Sequence, residues 1–190
     1  YGMVKPDGGT IAVGGAIQSF RGPRDAIAAG IGMVHQHFML ADNASVLENV
    51  ILGSEPKKFG IAIDFERARS HFTEIVDQYG LAIDPDALVG ELSVGGRQRV
   101  EIAKVLFRGA NILILDEPTA VLVPQEVDEL FGNLKYLTER GLTILFISHK
   151  LQEVLEVSSF ITVMRQGTTV ASLNPSDTTA KELAELMVGR

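Results

Sequence analysis

Apolar residues recur along the chain with two periods, and the change from one to the other marks out its elements. Over residues 64–79, Phe65, Ala68, Phe72, Ile75, Val76 and Tyr79 lie on one face of a 3.6-residue period. This predicts a helix, with Asp64 capping its start and Gly80 at its left-handed end. Residues 44–53 repeat the pattern with Val46, Leu47, Val50 and Ile51 and stop at Gly53. A short helix is predicted over Arg24–Ala29, another over 96–108 ended by Gly109, and a longer one from Pro124 to Gly141 with Val127, Leu130, Phe131, Leu134 and Leu137 inward. Short helices at about 150–156 and 178–188 complete the set.

Continuous apolar runs at 111–116 and 142–147 read as strands of a sheet covered on both faces. Further strands are predicted at 9–13 and 32–36, and a hairpin at 160–165 and 168–173 turns on Gln166-Gly167. Strand, helix and strand with short links imply right-handed βαβ units and a largely parallel sheet, so the fold class is α/β. The stretch 37–92 offers no convincing buried strand and reads as a helical insert. No internal repeat or low-complexity tract is present.

Composition narrows the function more than the fold. With 190 residues, 46% of them apolar and 22% charged, the chain is an ordinary globular one of about one domain. A net charge of −7 and a pI near 5.1 argue against a nucleic-acid partner, which would need a basic footprint. The absence of cysteine excludes disulfides, thiolate metal sites and a cysteine nucleophile. No apolar run is long enough to span a membrane. Tyr1-Gly2-Met3-Val4 has neither an initiator methionine nor a signal-peptide layout. The expectation is a chain that begins inside something larger.

Four short motifs carry candidate chemistry. Ile112-Leu113-Ile114-Leu115-Asp116-Glu117-Pro118 ends a strand in two carboxylates, at the sheet edge where α/β proteins bind ligands. Asp116 is placed to hold Mg²⁺, and Glu117 to orient or deprotonate a water. The same pair can simply end a strand and cap a turn. Leu92-Ser93-Val94-Gly95-Gly96 precedes a helix, leaving N–H groups at a positive helix end that suits an anion; it is equally an ordinary cap. His149 ends a second strand, where it could meet a phosphate or serve as a structural hydrogen-bonding residue. Gln36 follows a strand and could reach a metal or water, or be a plain loop residue. His35 and His37 flank it without a third ligand nearby.

Taken in order, these motifs gain specificity. Gln36, a 55-residue stretch over 37–91, Leu-Ser-x-Gly, then Ile-Leu-Ile-Leu-Asp-Glu-Pro and a strand ending in histidine resemble the nucleotide-binding domain of an ABC transporter along essentially the whole chain. Residues 32–38 resemble its Q-loop, 92–98 its signature, 112–117 its Walker B strand, 118–124 its D-loop region and His149 its switch histidine. The resemblance implies a P-loop NTPase-like core over 1–36, a helical subdomain over 37–92, and a return to the core over 93–190. It implies ATP and Mg²⁺ as cofactors, with Asp116 and Gln36 at the metal, and Glu117, His149 and Gln36 as catalytic residues. Ser93 and Gly95 would contact the ATP of an opposing domain. Implied partners are a second nucleotide-binding domain, transmembrane permease subunits and, indirectly, a solute-binding protein, at the cytoplasmic face of the membrane. Ala26–Phe38, Asp116–Pro124 and the closing Glu-Leu-Met-Val-Gly-Arg resemble importers of simple sugars and nucleosides, whose ATPase polypeptide carries two such domains; this stretch resembles the first.

Three departures temper that picture. The phosphate loop G-x-x-x-x-G-K-S/T does not occur in the 190 residues, and no Gly-Lys pair exists. The resemblance places it, with upstream strands, just before Tyr1, so the expectation is a truncated domain that is inactive alone and exposes apolar strand faces. Gly96 stands where the signature has glutamine or glutamate, and Val123 where the D-loop has aspartate. Two other readings remain: a non-catalytic module supplying its signature face or a docking surface, and a soluble ABC ATPase of repair or translation. The 55-residue insert is too short for the coiled coil of the repair type, and the charge of −7 fits poorly with the translation type.

Overall fold

The computed structural model describes residues 1–189, which form two compact units, Tyr1–Leu145 and the residues from Phe146 onward. The first opens with a hairpin, β1 (Ile11–Val13) and β2 (Ala16–Gln18), turning on Gly14-Gly15. Next come α1 (Pro23–Ala28), β3 (Ile31–Val34) and α2 (Val46–Ile51). A second small hairpin, β4 (Lys57–Lys58) and β5 (Ala62–Ile63), precedes α3 (Phe65–Tyr79) and α4 (Val94–Phe107). Strand β6 (Ile112–Asp116), α5 (Pro124–Glu139) and the opening residues of β7 (Thr143–Ile147) complete this unit.

β3, β6 and β7 form the central sheet in that order. β3 runs parallel to β6, with Ile31 opposite Ile112 and Val34 opposite Leu115. Helix α4 is the hub beneath it. Its Val100, Ile102, Ala103, Val105, Leu106 and Phe107 are buried, and it packs against α2, α3, α5 and β3. Phe72 and Ile75 of α3 and Val46, Val50 and Ile51 of α2 enter the same interior. Helix α3 starts and stops where its sequence predicts: Asp64 accepts from the Arg67 N–H, and Gly80 adopts φ 63°. Helix α4 begins two residues earlier than predicted, because Ser93 is its cap and both glycines fall in the first turn.

The expectation of two strands covered on both faces needs correction at β7. Leu113 and Leu115 of β6 are buried, but Leu145 and Ile147 of β7 are about half exposed. β7 is an edge strand, with one apolar face uncovered among the described residues. The stretch 37–92 holds α2, the exposed β4–β5 hairpin and α3.

The second unit contains the end of β7, then α6 (Leu151–Val157), an antiparallel hairpin of β8 (Ile161–Arg165) and β9 (Thr168–Leu173), and α7 (Ala180–Val188). Gln166 and Gly167 are both left-handed, which closes the predicted turn. Ile161, Val163 and Leu183 form its core, with Val154, Leu155 and Leu186 around them. Thr179 and Glu182 form a capping box on α7.

One buried polar side chain helps to hold the insert, and one exposed aromatic sits strained at its hairpin tip. Asn49, only 2% exposed, accepts from the Ala41 N–H at 2.7 Å and donates to the carbonyls of Ala41 and Ser45. It fastens the segment that enters α2. Phe59, at the tip of the β4–β5 hairpin, is 90% exposed and has φ 55°, a conformation unfavourable for a bulky side chain.

Asn49→Ala should destabilise the chain by about 2–3 kcal/mol in urea titration, since it removes several part-buried hydrogen bonds. Phe59→Asn should instead stabilise it by roughly 0.5–1 kcal/mol, because asparagine tolerates the left-handed turn and little packing is lost.

Candidate functional site

The sheet register sets one part of the site. Val34, the last residue of β3, lies opposite Leu115, so Gln36 and the Asp116–Glu117 pair emerge at the same C-terminal edge. Gln36 is exposed in the loop beyond β3, whereas Asp116 and Glu117 are half-buried. The chain reverses at Glu117, whose φ of 48° is left-handed. A turn follows, with the Ala120 N–H donating to the Glu117 carbonyl at 3.1 Å, and Pro118 and Thr119 are buried beneath it. A non-glycine residue held in this backbone region costs of order 1–3 kcal/mol and is typical of functional turns.

The loop beyond Gln36 is clamped by α4. Glu101 Oε1 accepts from the Met39 N–H at 2.6 Å, and Lys104 Nζ donates to the Met39 carbonyl at 2.9 Å. One turn nearer the helix start, Arg97 Nη1 pairs with Asp42 at 2.9 Å and Nη2 donates to the Gly90 carbonyl. Arg97, Glu101 and Lys104 thus form a polar stripe along an otherwise buried helix.

The start of α4 forms the second part. Ser93 is exposed and extended, and its Oγ accepts from the Gly96 N–H at 3.1 Å. Gly95 is buried and donates its N–H to Oε1 of Glu126 on α5, at 2.9 Å. A Cβ at Gly95 would lie 3.1 Å from that same oxygen, so glycine is what lets the carboxylate approach. The other oxygen of Glu126 accepts from the Val123 N–H at 3.4 Å, half of a capping box on α5, whose cap residue offers no side-chain oxygen. The Gly95 N–H is the largest influence holding the Glu126 carboxyl below its ordinary range; desolvation opposes it, while Ser93, Val123 and the positive charge of Arg99 add to it.

The structure therefore brings Gln36, Asp116 and Glu117 to one sheet edge, and sets Ser93 and Gly95 at the head of α4 in the same unit. His149 lies in the second unit, exposed, two residues past the end of β7. His35 and His37 join no metal-binding cluster, and no group of three or more histidine, aspartate or glutamate residues fit for a metal is found among the described residues. Sequence reasoning passed over Glu126. Its signal was a glutamate three residues after the cap position of an apolar helix, partly hidden because that cap is a valine.

A central parallel sheet flanked by helices, with carboxylates at its C-terminal edge and a glycine-opened helix beside it, is the α/β architecture of P-loop NTPases. Residues 1–120 match the ABC transporter family. The chain is 50% identical to the guanosine import ATP-binding protein NupO of Bacillus subtilis (strain 168) and 49% identical to the nucleoside import ATP-binding protein NupA of Lactococcus lactis subsp. cremoris (strain MG1363). A ribose import ATP-binding protein, RbsA of Chelativorans sp. (strain BNC1), is 41% identical. Each alignment covers all of this chain, which spans 37% of the length of these relatives. In three dimensions the chain superposes on the ADP conformation of MJ1267, an ATP-binding cassette of an ABC transporter, with a TM-score of 0.81 at 24% identity, covering all of this chain and 80% of that one. The cbiO1 structure from Clostridium perfringens gives 0.76 at 28% identity, over 98% of this chain and 72% of that one. The chain belongs to the ABC transporter family, and its fold is that of an ATP-binding cassette.

Because the native state holds the Glu126 carboxyl below its unfolded value, its contribution to stability is present above that value and is lost as pH falls through the folded one. The difference in urea midpoint between the native chain and Glu126→Gln should stay constant from neutral pH to about 5 and close as the pH falls below the ordinary glutamate range of about 4.3.

Proposed function

We propose that this chain is the signature-bearing part of the ATP-binding subunit of an importer for a nucleoside or simple sugar. One observation carries the reading: identity of 49–50% along the whole chain with relatives named as nucleoside and guanosine import ATP-binding proteins. Fold and site agree with it. The two carboxylates at the β6 edge are oxygen donors of the kind Mg²⁺ takes together with water and phosphate. Asp116 would hold the ion through water, with Gln36 reaching the same ion from the neighbouring strand end. The ion would supply charge neutralisation between phosphate oxygens.

The chain's own residues then divide the remaining work. Glu117 accepts the proton of the attacking water, its carboxylate aimed by the left-handed turn. Ser93 and Gly95 receive the terminal phosphate of ATP held by an opposing domain, using the hydroxyl and the N–H groups at the positive end of α4. His149 is assigned a contact with the γ-phosphate of ATP by the resemblance alone. Phosphoryl transfer asks mainly for positioning and charge stabilisation, and this cast provides both. No helix among the described residues is long and apolar enough to cross a membrane. By the resemblance, the subunit would act on permease subunits from their cytoplasmic side, with nucleotide state setting the facing of the pathway.

A second reading, a module that supplies only its signature face, is favoured by the lack of any G-x-x-x-x-G-K-S/T pattern in these residues. Both readings predict weak nucleotide binding by the chain alone. A calorimetric titration of the 190-residue chain with MgATP should show no saturation up to millimolar concentrations. Micromolar binding would mean that other residues of this chain cradle the phosphates, and the assignment of roles above would fail. Mixing the chain with a complete ATP-binding domain of the family tests the signature role common to both: the ATPase activity of the mixture should fall with Ser93→Ala, and unchanged activity would sink that role. Glu117→Gln separates the two when it is made in a chain joined to a phosphate-loop segment of the family: loss of activity favours the full enzyme role, and no effect favours the signature module.

A further inference from the structure

We propose that the Glu126 carboxylate is a built-in occupant of the phosphate-receiving end of α4, and that it must leave Gly95 before a terminal phosphate can dock there. The inference rests on the reading above, in which Ser93 and Gly95 accept that phosphate. The geometry shows an anion already in the seat. Oε1 of Glu126 takes the Gly95 N–H at 2.9 Å, close enough that a Cβ on Gly95 would meet the same oxygen at 3.1 Å. The Ser93 hydroxyl is turned inward as well, accepting the Gly96 N–H at 3.1 Å. The carboxyl is held below its ordinary range, chiefly by that Gly95 contact, so at neutral pH it occupies the seat as a full negative charge.

One N–H cannot serve two anions at hydrogen-bond distance, since their mutual repulsion in a part-buried setting outweighs a shared donor. A phosphate arriving there must displace the carboxylate. The displaced group has a destination: Arg99 already acts on Glu126 through its charge, and its Nε is a buried donor without a hydrogen-bond partner among the described residues. Among the described residues Arg99 is otherwise held through Nη1, by Glu129 at 3.1 Å. The displacement also has a consequence. The second oxygen of Glu126 holds the Val123 N–H at the cap of α5, six residues after Glu117. Emptying the seat therefore releases the far end of the segment that carries the proposed base. Glu126 acts as a positioning residue, linking occupancy of the signature end to the turn at the sheet edge.

The test reads backbone amide shifts by ¹⁵N NMR in the 190-residue chain, with inorganic phosphate as the probe and chloride at matched ionic strength as control. In the native chain the Gly95 amide should respond weakly. In Glu126→Ala it should respond at phosphate concentrations about tenfold lower, the size of one charge-assisted hydrogen bond no longer in competition. The Met39 amide, held by Glu101, should not move in either and so reports that the fold is intact. Glu126→Gln keeps the side-chain volume and removes the charge, so it carries the same comparison should the alanine variant fail to fold, with a smaller shift in the same direction. Equal Gly95 responses in the native chain and the variants, or none in either, would overturn the proposal. Because this probe contains no nucleotide, it reads the seat separately from the MgATP titration above. Micromolar MgATP binding would sink the assignment of roles, whereas no MgATP saturation together with equal phosphate responses sinks the inference alone.

Discussion

The grip of α4 on the backbone around Met39 is the contact on which the rest of the first unit depends. Glu101 and Lys104 take the N–H and the carbonyl of one residue, and Arg97 adds Asp42 and Gly90 a turn away. Charged groups in a buried helix are costly unless fully paired, and here the pairing is with chain that would otherwise be loop. The same helix buries its apolar faces under β3 and against α2 and α3. The loop that carries Gln36 and the helix start that carries Ser93 are thereby fixed to one rigid body. The two parts of the candidate site cannot shift independently without breaking this stripe.

Electrostatics at the head of α4 follows from an economy of caps. Val123 cannot cap α5 with its side chain, so Glu126 reaches back to the Val123 N–H and, with its other oxygen, satisfies Gly95. A helix start that would otherwise present bare donors to water is thus closed by the neighbouring helix. Glycine at 95 is what allows the approach. At the opposite side of the same turn, the left-handed Glu117 stores local strain in the segment that places the carboxylate pair. Preorganisation at one end and strain at the other leave this short segment poised between two well-defined helices.

Much of this was legible in the residues. The apolar face of α3 with Asp64 and Gly80, the strand ending at Asp116, the Pro124 start of α5 and the Gln166-Gly167 turn all lie where periodicity and turn chemistry put them, because each is set by local rules. The β4–β5 hairpin was not legible: it is two residues to a strand and buries nothing, so no hydrophobic alternation betrays it. The exposed face of β7 was not legible in its apolar run, which is the same whether or not a neighbour covers it; only the resemblance led to an expectation of exposed strand faces. The site was legible as a list of residues but not as a set of contacts. The order of motifs picks out Gln36, Ser93, Gly95, Asp116 and Glu117, whereas the partnership of Gly95 with Glu126 joins two helices whose faces periodicity describes only one at a time.

The parallel pairing of β3 with β6 has a kinetic side. Ile31 and Ile112 meet across 81 residues of chain, a non-local contact whose loop-closure entropy must be met before the sheet gives anything back. Everything that shortens this loop lies between the strands: α2, α3 and α4 pack on one another and can collapse first, drawing the strand ends together. The insert that separates the two halves of the sheet in sequence then serves as the template on which they find each other. A chain synthesised from its N-terminus would hold β3 without β6 until β6 emerges, so the time taken to make the residues between them sets how long that strand edge waits in solvent.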